Sequence, residues 1–529
     1  MKKTIYSIAA SSAVIIACYA RGAETDITVK IDPGKTFQTI DGFAASDAWS
    51  GNFVGKYFPE EQRGQIAKWL FSQKFGADGN PEGIGLSMWR FNIGGGTLEQ
   101  DGADIEPYQR RAESFLSKDG AGYDWSKCAG QMYFMKKAKE YGCDKFLIFS
   151  NTPPVQWTKN GKGYCDKGNY GSNLKPDCYG KFADYMADVA KHFESLGYGI
   201  KYISPINEPQ VPWDSPRQEG SMWRNSEMAK LAREVDKSIK KAGLKNTKIL
   251  LGESASLQAP VEGAKSWWGK KADCPMEEQP FGQLKQFFDK SSPNYIGDLK
   301  YLEKLWGAHA YHSGRKFAEM PKIREDLIAE ISKCGLGFLQ TEWCLLPQYG
   351  PKNCDGFTEG RFSDNNADMD AALCMGRLIN ADFTIAQSQG WGYWKAMEVK
   401  GDFALTGVYP KDGKLENGGV ARDNKLLWAL GNWSFFVRPG YKRVEMSGAD
   451  DLAKVCSSAF VSPDGRKLVA VFVNSSFDTV PVSFSGELAK KPFDAFKTDS
   501  ASNLAKAASG TSGSFAMTPR SITTIAWDL

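Results

Sequence analysis

The sequence predicts an α/β protein, a (β/α)8 TIM barrel with an appended all-β sandwich built from the C-terminus and an N-terminal strand. Three observations carry this prediction. Eight short apolar runs recur in order, and most of the gaps between them hold an amphipathic, helix-like stretch, the alternation of a closed parallel barrel. After about Gly431 long amphipathic stretches give way to β-rich runs. Finally, 529 residues are too many for one ordinary domain and suit a large barrel with a smaller partner.

The first four barrel runs are Thr39 to Ala45, Ile84 to Ile93, Lys145 to Ser150 and Ile200 to Ile206. Four more follow at Lys248 to Glu253, Trp306 to Tyr311, Gly337 to Thr341 and Phe383 to Trp394. Apolar residues at helical spacing fill Glu60 to Lys74, Cys128 to Lys139, Lys181 to Leu196, Ser226 to Ala242, Met320 to Lys333 and Asp368 to Asn380. The C-terminal module opens its strand Lys467 to Val473 with a Pro463-Asp464-Gly465 turn, and Val480 to Phe484 and Ser521 to Trp527 continue it. The early strand-like run Asp26 to Ile31 is expected to pair with that module. The boundaries read as residues 1–23 for a signal peptide, 24–36 for the joining strand, 37–430 for the barrel and 431–529 for the sandwich.

A net charge of +4 with interspersed signs gives no basic tract for nucleic acid. The chain starts with Lys2-Lys3 and the small-apolar stretch Ile5 to Ala17, an export signal too short to span a bilayer. Two processing routes stay open. Ile15-Ile16-Ala17-Cys18 resembles a bacterial lipobox, which would place a lipid on Cys18 and give the only membrane contact. Ordinary cleavage near Ala20 or Ala23 is the other. Either route exports the protein, to the periplasm, the medium or the cell surface. Cys165 with Cys178 and Cys344 with Cys354 are candidate local disulfides. No paired CxxC spacing exists and the chain has three histidines, so no zinc, no other metal and no cofactor are expected. A monomer is expected.

Two runs end in glutamate: Ile203-Ser204-Pro205-Ile206-Asn207-Glu208-Pro209 and Phe338-Leu339-Gln340-Thr341-Glu342-Trp343. Glutamate is a poor strand former and costly to bury, so its place at two strand C-termini calls for a role beyond packing. C-terminal strand ends are where a barrel collects catalytic groups. Two glutamates converging there point to glycoside hydrolysis with one acid and one nucleophile. A protease or esterase would want a Ser or Cys beside a positioned His, and no Gly-x-Ser-x-Gly elbow occurs.

In order along the chain, several motifs resemble glycoside hydrolase family 30. They are Gln38-Thr39-Ile40-Asp41-Gly42-Phe43-Ala44, Trp89-Arg90-Phe91-Asn92-Ile93-Gly94, Asn151-Thr152-Pro153-Pro154-Val155-Gln156-Trp157, Asn207-Glu208-Pro209 and Thr341-Glu342-Trp343. The tail Pro519-Arg520-Ser521-Ile522-Thr523-Thr524 resembles that family's final sandwich strand. The resemblance implies a retaining mechanism with Glu208 as general acid/base and Glu342 as nucleophile. Arg90 would hold Glu342 charged, Asn207 would bond the sugar 2-hydroxyl, and Tyr311 would support the nucleophile. Asp47, Trp49, Trp157 and Trp394 would form the floor and walls of the donor-sugar pocket. His309 reads as a satisfied polar residue of the inner wall, Glu253 as a strand-end carboxylate that either supports the catalytic pair from behind or is structural, and Glu219 as a loop residue near substrate.

The stretch from Asn207 to Trp213, followed by Gln218-Glu219-Gly220, is similar to the family's endo-β-1,6-galactanase-like branch. The expected partner is therefore a β-linked polysaccharide or oligosaccharide, with β-1,6-galactan cut internally. Glucuronoxylanase, β-xylosidase and β-1,6-glucanase activities are the alternatives within the family. A non-catalytic carbohydrate-binding protein is the alternative from another class.

Overall fold

The computed structural model describes residues 26–261, 278–346, 353–357, 369–401, 403–507, 509–510 and 513–529. The export signal and Cys18 lie outside them. Eight parallel strands form the barrel: β2 (Gly42–Ser46), β3 (Met88–Asn92), β4 (Lys145–Phe149), β5 (Ile200–Ser204), β6 (Lys248–Ser254), β7 (Leu302–His309), β8 (Gly337–Glu342) and β9 (Ser388–Val399). Neighbours in sequence pair in order, and β9 closes the ring by pairing with both β8 and β2. Strands β3 and β4 are buried almost throughout, as a parallel sheet covered on both faces requires.

Helices cover the outside: α1 (Ser50–Tyr57), α2 (Glu60–Phe71), α3 (Ala129–Glu140), α4 (Tyr179–Ser195), α5 (Asn225–Ala242), α6 (Gln283–Phe288), α7 (Met320–Lys333) and α8 (Met369–Thr384). Helix α5 shows why its stretch is helical. Met228, Leu231, Val235 and Ile239 bury one stripe, Glu227 accepts the Arg224 backbone N–H at the start, and Gly243 ends it in the left-handed conformation. The last predicted barrel run, Phe383 to Trp394, is corrected at its start. Phe383 and Thr384 finish α8, and the strand begins at Ser388.

After the barrel, β10 (Ala404–Pro410) and β11 (Gly419–Asp423) extend its sheet beyond β9, and α9 (Lys425–Ser434) leads into the second sheet. That sheet contains β12 (Lys442–Ser447), β13 (Val455–Val461), β14 (Lys467–Asn474), β15 (Val480–Phe484), β16 (Asp494–Thr498), β17 (Ala505–Lys506), β18 (Ser514–Met517) and β19 (Ser521–Asp528). The N-terminal strand β1 (Ile27–Thr39) joins it. Its first residues, Ile27 to Val29, run parallel to β15, and Lys30 onward runs antiparallel to β12. Register shifts between Asp32 and Thr36 and between Thr36 and Thr39 interrupt its pairing with β12.

The sandwich is clamped to the barrel through α8 and α9. Gly376 on α8 permits the close approach, since a Cβ there would lie 3.1 Å from Ile522 and 3.2 Å from Val473. Arg377 Nη1 donates to Ser475 Oγ at 2.9 Å, Phe383 packs edge-on against Phe460, and Asn432 Nδ2 donates to Thr498 Oγ1 at 2.8 Å. Neither candidate disulfide is present: Cys165, Cys178, Cys344 and Cys354 are all thiols and all buried. No helix among the described residues is long and apolar enough to cross a membrane.

Candidate active site

The C-terminal ends of the barrel strands open on a cavity of about 400 Å³. Glu342, the last residue of β8, and Glu208, four residues past β5, both line it and are almost fully buried. Taking one ligating atom from each of Glu208, His309 and Glu342, all lie within 4.8 Å of one another. The two carboxyl groups are therefore close neighbours.

Each carboxyl has defined partners. Arg90 on β3 donates from Nη1 to Glu342 Oε2 at 3.1 Å and from Nη2 to Glu253 Oε2 at 3.4 Å. The Tyr311 hydroxyl donates to Glu342 Oε1 at 3.0 Å. His309, the last residue of β7, faces Glu208 Oε1 with Nδ1 (2.8 Å) and Glu253 Oε2 with Nε2 (2.9 Å), while Nδ1 is also 3.5 Å from Glu342 Oε1. Thr341 Oγ1 adds a bond to Glu253 at 2.8 Å.

The cluster holds two cationic side chains among three carboxyls. Burial opposes charge on His309, but the Glu342 field and the bonds to Glu208 and Glu253 prevail and raise its pKa to about 10. The ring is thus an imidazolium donating from both nitrogens, the one form that satisfies an acceptor on each side. Burial also works against the Glu253 charge, yet His309, Arg90 and Thr341 hold that carboxyl below the usual range. Glu342 is raised, by burial first, and Glu208 and Glu253 add to it against His309 and Arg90. Glu208, His309 and Glu342 also have the spacing of metal ligands. Their chemistry fits a metal poorly, since a ligating imidazole must be neutral and both His309 nitrogens already face carboxylates.

Backbone conformation marks the same region. Trp49, Glu208, Trp213, Glu253, His312 and Phe403 all have positive φ, a sparsely populated state for such residues. Five of these six line the cavity, and Glu253 stands behind it, giving its carbonyl to the Glu208 N–H at 2.9 Å.

Trp49, Asn207, Tyr311 and Trp394 line the cavity. Asn207 Oδ1 is buried without a hydrogen-bond partner in the protein. Arg90 stands behind the wall, on the carboxylates. Asp47 and Trp157 are not among the residues that line the cavity. Asp47 accepts from the Asn92 N–H (2.9 Å), Gln131 Nε2 (2.9 Å) and Trp89 Nε1 (3.1 Å), which fixes the start of the loop after β3. Burial raises its pKa to about 7 against those bonds. Trp157 packs edge-on against Tyr185. Glu219 is likewise buried, accepting from Gly95 N and Thr97 Oγ1, and so ties down the Gly94-Gly95-Gly96 turn.

A family model described as O-Glycosyl hydrolase family 30 matches residues 26–406. The chain belongs to that family. Among relatives of this family 30 member, an endo-β-1,6-galactanase of Hypocrea rufa is 27% identical over 404 residues, covering 73% of this chain and 71% of the relative. An exo-β-1,6-galactobiohydrolase of Bifidobacterium longum subsp. longum is 24% identical over 457 residues, covering 74% of this chain and 28% of that much longer protein. Among solved structures, a conserved exported protein from Bacteroides fragilis is 30% identical with a TM-score of 0.85, covering 94% of this chain and all of that one. Membership makes the chain a glycoside hydrolase.

In this family 30 member the sequence reading missed what surrounds Trp49. Lys395 Nζ lies 3.7 Å from the Trp49 ring centre and the Arg110 guanidinium 4.2 Å from it. Both cations thus lie against the indole. Lys395 is buried and donates to Glu398 Oε2 at 2.8 Å, and Ser50 Oγ donates to Glu398 Oε1 at 2.5 Å. Burial lowers the Lys395 pKa to about 8 in spite of Glu398. The available signal was a lysine and a glutamate three residues apart inside an otherwise apolar strand.

Proposed function

We propose that the protein is an exported retaining β-glycosidase that cleaves β-1,6-linked galactan by double displacement. The observation that carries the mechanism is the placement of Glu208 and Glu342 oxygens within 4.8 Å of each other. Retaining enzymes hold their carboxyl groups about 5–5.5 Å apart, and inverting enzymes leave about 6.5–9.5 Å for a water.

Glu342 is the nucleophile and Glu208 the acid/base. In these roles Glu208 acts as the protonated acid and Glu342 as the carboxylate, which Arg90, His309 and the Tyr311 hydroxyl all face. Glu342 attacks the anomeric carbon, Glu208 gives its proton to the departing glycosidic oxygen, and a glycosyl ester forms on Glu342. The carboxylate left on Glu208, steadied by the His309 N–H, then takes a proton from the incoming water as its oxygen bonds the anomeric carbon and the ester bond breaks to free Glu342. The orphaned Asn207 Oδ1 is placed to accept from a sugar hydroxyl. Asp47 and Trp157 act through the walls they hold.

The β-1,6-galactosyl linkage is supported by the two curated relatives, one described as an endo-enzyme and the other as an exo-enzyme. We take the internal mode of cleavage, following the likeness of Asn207 to Gly220 to the endo branch. The test is hydrolysis of de-arabinosylated arabinogalactan followed by proton NMR, beside xylan and β-1,6-glucan. Short galacto-oligosaccharides carrying a β-anomer before mutarotation are expected. An initial α-anomer would reject double displacement, and activity on xylan or β-1,6-glucan alone would reject the galactan.

A further inference from the structure

Three tryptophans line the cavity, and they are not equivalent. Trp49 and Trp394 are buried and meet edge to face at 5.7 Å, and the Trp49 ring already carries Lys395 and Arg110 against it. Trp213 is the partly exposed one. Its ring packs against Gly220, where a Cβ would come within 2.4–2.8 Å of three ring atoms, so glycine leaves room for the indole at the cavity wall.

The ring is also fixed in place. Trp213 Nε1 donates to the Glu208 carbonyl at 3.2 Å, the Trp213 carbonyl accepts from Cys165 N at 2.7 Å, and its φ is 48°. A tryptophan held in a sparsely populated backbone state by three independent contacts is a positioned surface. Its indole nitrogen is tied to the backbone of Glu208, which places it on the acid/base side of the cleft. An acid/base protonates the oxygen of the departing sugar, so the unit beyond the scissile bond lies on that side.

We propose that Trp213 is the platform for the departing sugar, the aromatic face on which the first unit beyond the scissile bond stacks. This rests on the reading of Glu208 as acid/base. The same face would hold an acceptor sugar during transfer from the glycosyl-enzyme. Stacking a pyranose on an indole contributes enough to change turnover by about 10-fold or more.

The test compares two substrates of the full chain: the glycan that the wild type hydrolyses fastest, and the β-fluoride of its glycone, whose leaving group touches no platform. For Trp213→Ala, the ratio of kcat/KM on glycan to kcat/KM on fluoride should fall by about 10-fold or more. Transfer to an added acceptor disaccharide, relative to hydrolysis, should fall with it. Trp213→Phe, which keeps a ring but removes the N–H bond to Glu208, should hold the ratio within about threefold. Equal losses on both substrates in Trp213→Ala would overturn the proposal, since the ring would then serve only to hold Glu208. An unchanged ratio, or a Phe variant as impaired as the Ala variant, would overturn it too. Glu208→Ala separates the underlying reading: full glycan turnover in that variant would reject the acid/base assignment itself, whatever Trp213 does.

Discussion

His309 donates from Nδ1 to Glu208 Oε1 across 2.8 Å, joining the end of β7 to the residue just past β5. Its other nitrogen is held by Glu253 at 2.9 Å. Glu253 therefore aims the imidazolium, and the imidazolium aims Glu208. Arg90 repeats the pattern on the other side, bonding Glu253 and Glu342 together. One buried carboxylate thus orients both cations that serve the reacting pair.

Removing His309 should be costly. In His309→Gln, Arg90 is left as the one cation among three buried carboxyls, and breaking such a buried network costs about 3–5 kcal/mol. The sign with pH follows from the raised pKa. The contribution of His309 is complete below its unfolded value of 6.5 and is lost as pH rises through about 10. Denaturant melts at several pH values should show the gap between wild type and variant widest near pH 6 and closing toward pH 10. A gap that widens with pH would mean a neutral imidazole.

Glu208→Gln and Glu342→Gln should each lower kcat/KM on glycan by about 10³-fold or more while circular dichroism stays native. The two should part in rescue. Azide should restore turnover of an activated aryl glycoside to Glu208→Ala and yield a β-glycosyl azide, because azide needs no general base. Rescue of Glu342→Ala with the same stereochemistry would exchange the two roles.

Tyr311→Phe removes the donor 3.0 Å from Glu342 Oε1. Glu342 already titrates above the ordinary carboxyl range, chiefly through burial. The acid limb of the kcat/KM profile should therefore lie above pH 4.5 in the wild type. It should move to still higher pH in the variant, with about a 10-fold loss at the optimum, because the ionised form loses a hydrogen bond. A limb that moves down would show that the hydroxyl does not serve the charged form.

Asp47 and Glu219 make the fold itself pH-dependent. Burial raises both to about 7, so between about pH 4 and 7 the native protein holds protons that the unfolded chain has released. Stability then falls as pH rises through that window. The Tm should drop between pH 5 and pH 8, and Glu219→Gln, though less stable, should show a flatter slope. A Tm that rises across the window would contradict this.

The barrel, its strand ends and the paired glutamates were legible because each leaves a local mark. Strands and helices carry different hydrophobic periods, and a glutamate closing an apolar strand is conspicuous. The bond from Tyr311 to Glu342 fits the support expected of that tyrosine. His309 and Glu253 were underread because a buried network has no sequence spacing: its members come from four strands and meet only when the barrel closes. Asp47 and Trp157 were placed in the cavity because they follow strand ends, yet a residue at a strand end can turn toward the loop it anchors. Trp213 was read as part of a loop motif, and nothing local showed that Gly220, seven residues on, leaves room for its ring.

Double displacement through Glu342 is tested most directly by trapping the covalent intermediate. An activated 2-deoxy-2-fluoro β-glycoside of the preferred glycone should inactivate the enzyme stoichiometrically, and peptide mass spectrometry should find one glycosyl adduct, on Glu342. An adduct on Glu208 or Glu253, or turnover with no adduct and an α-anomeric product, would contradict the account.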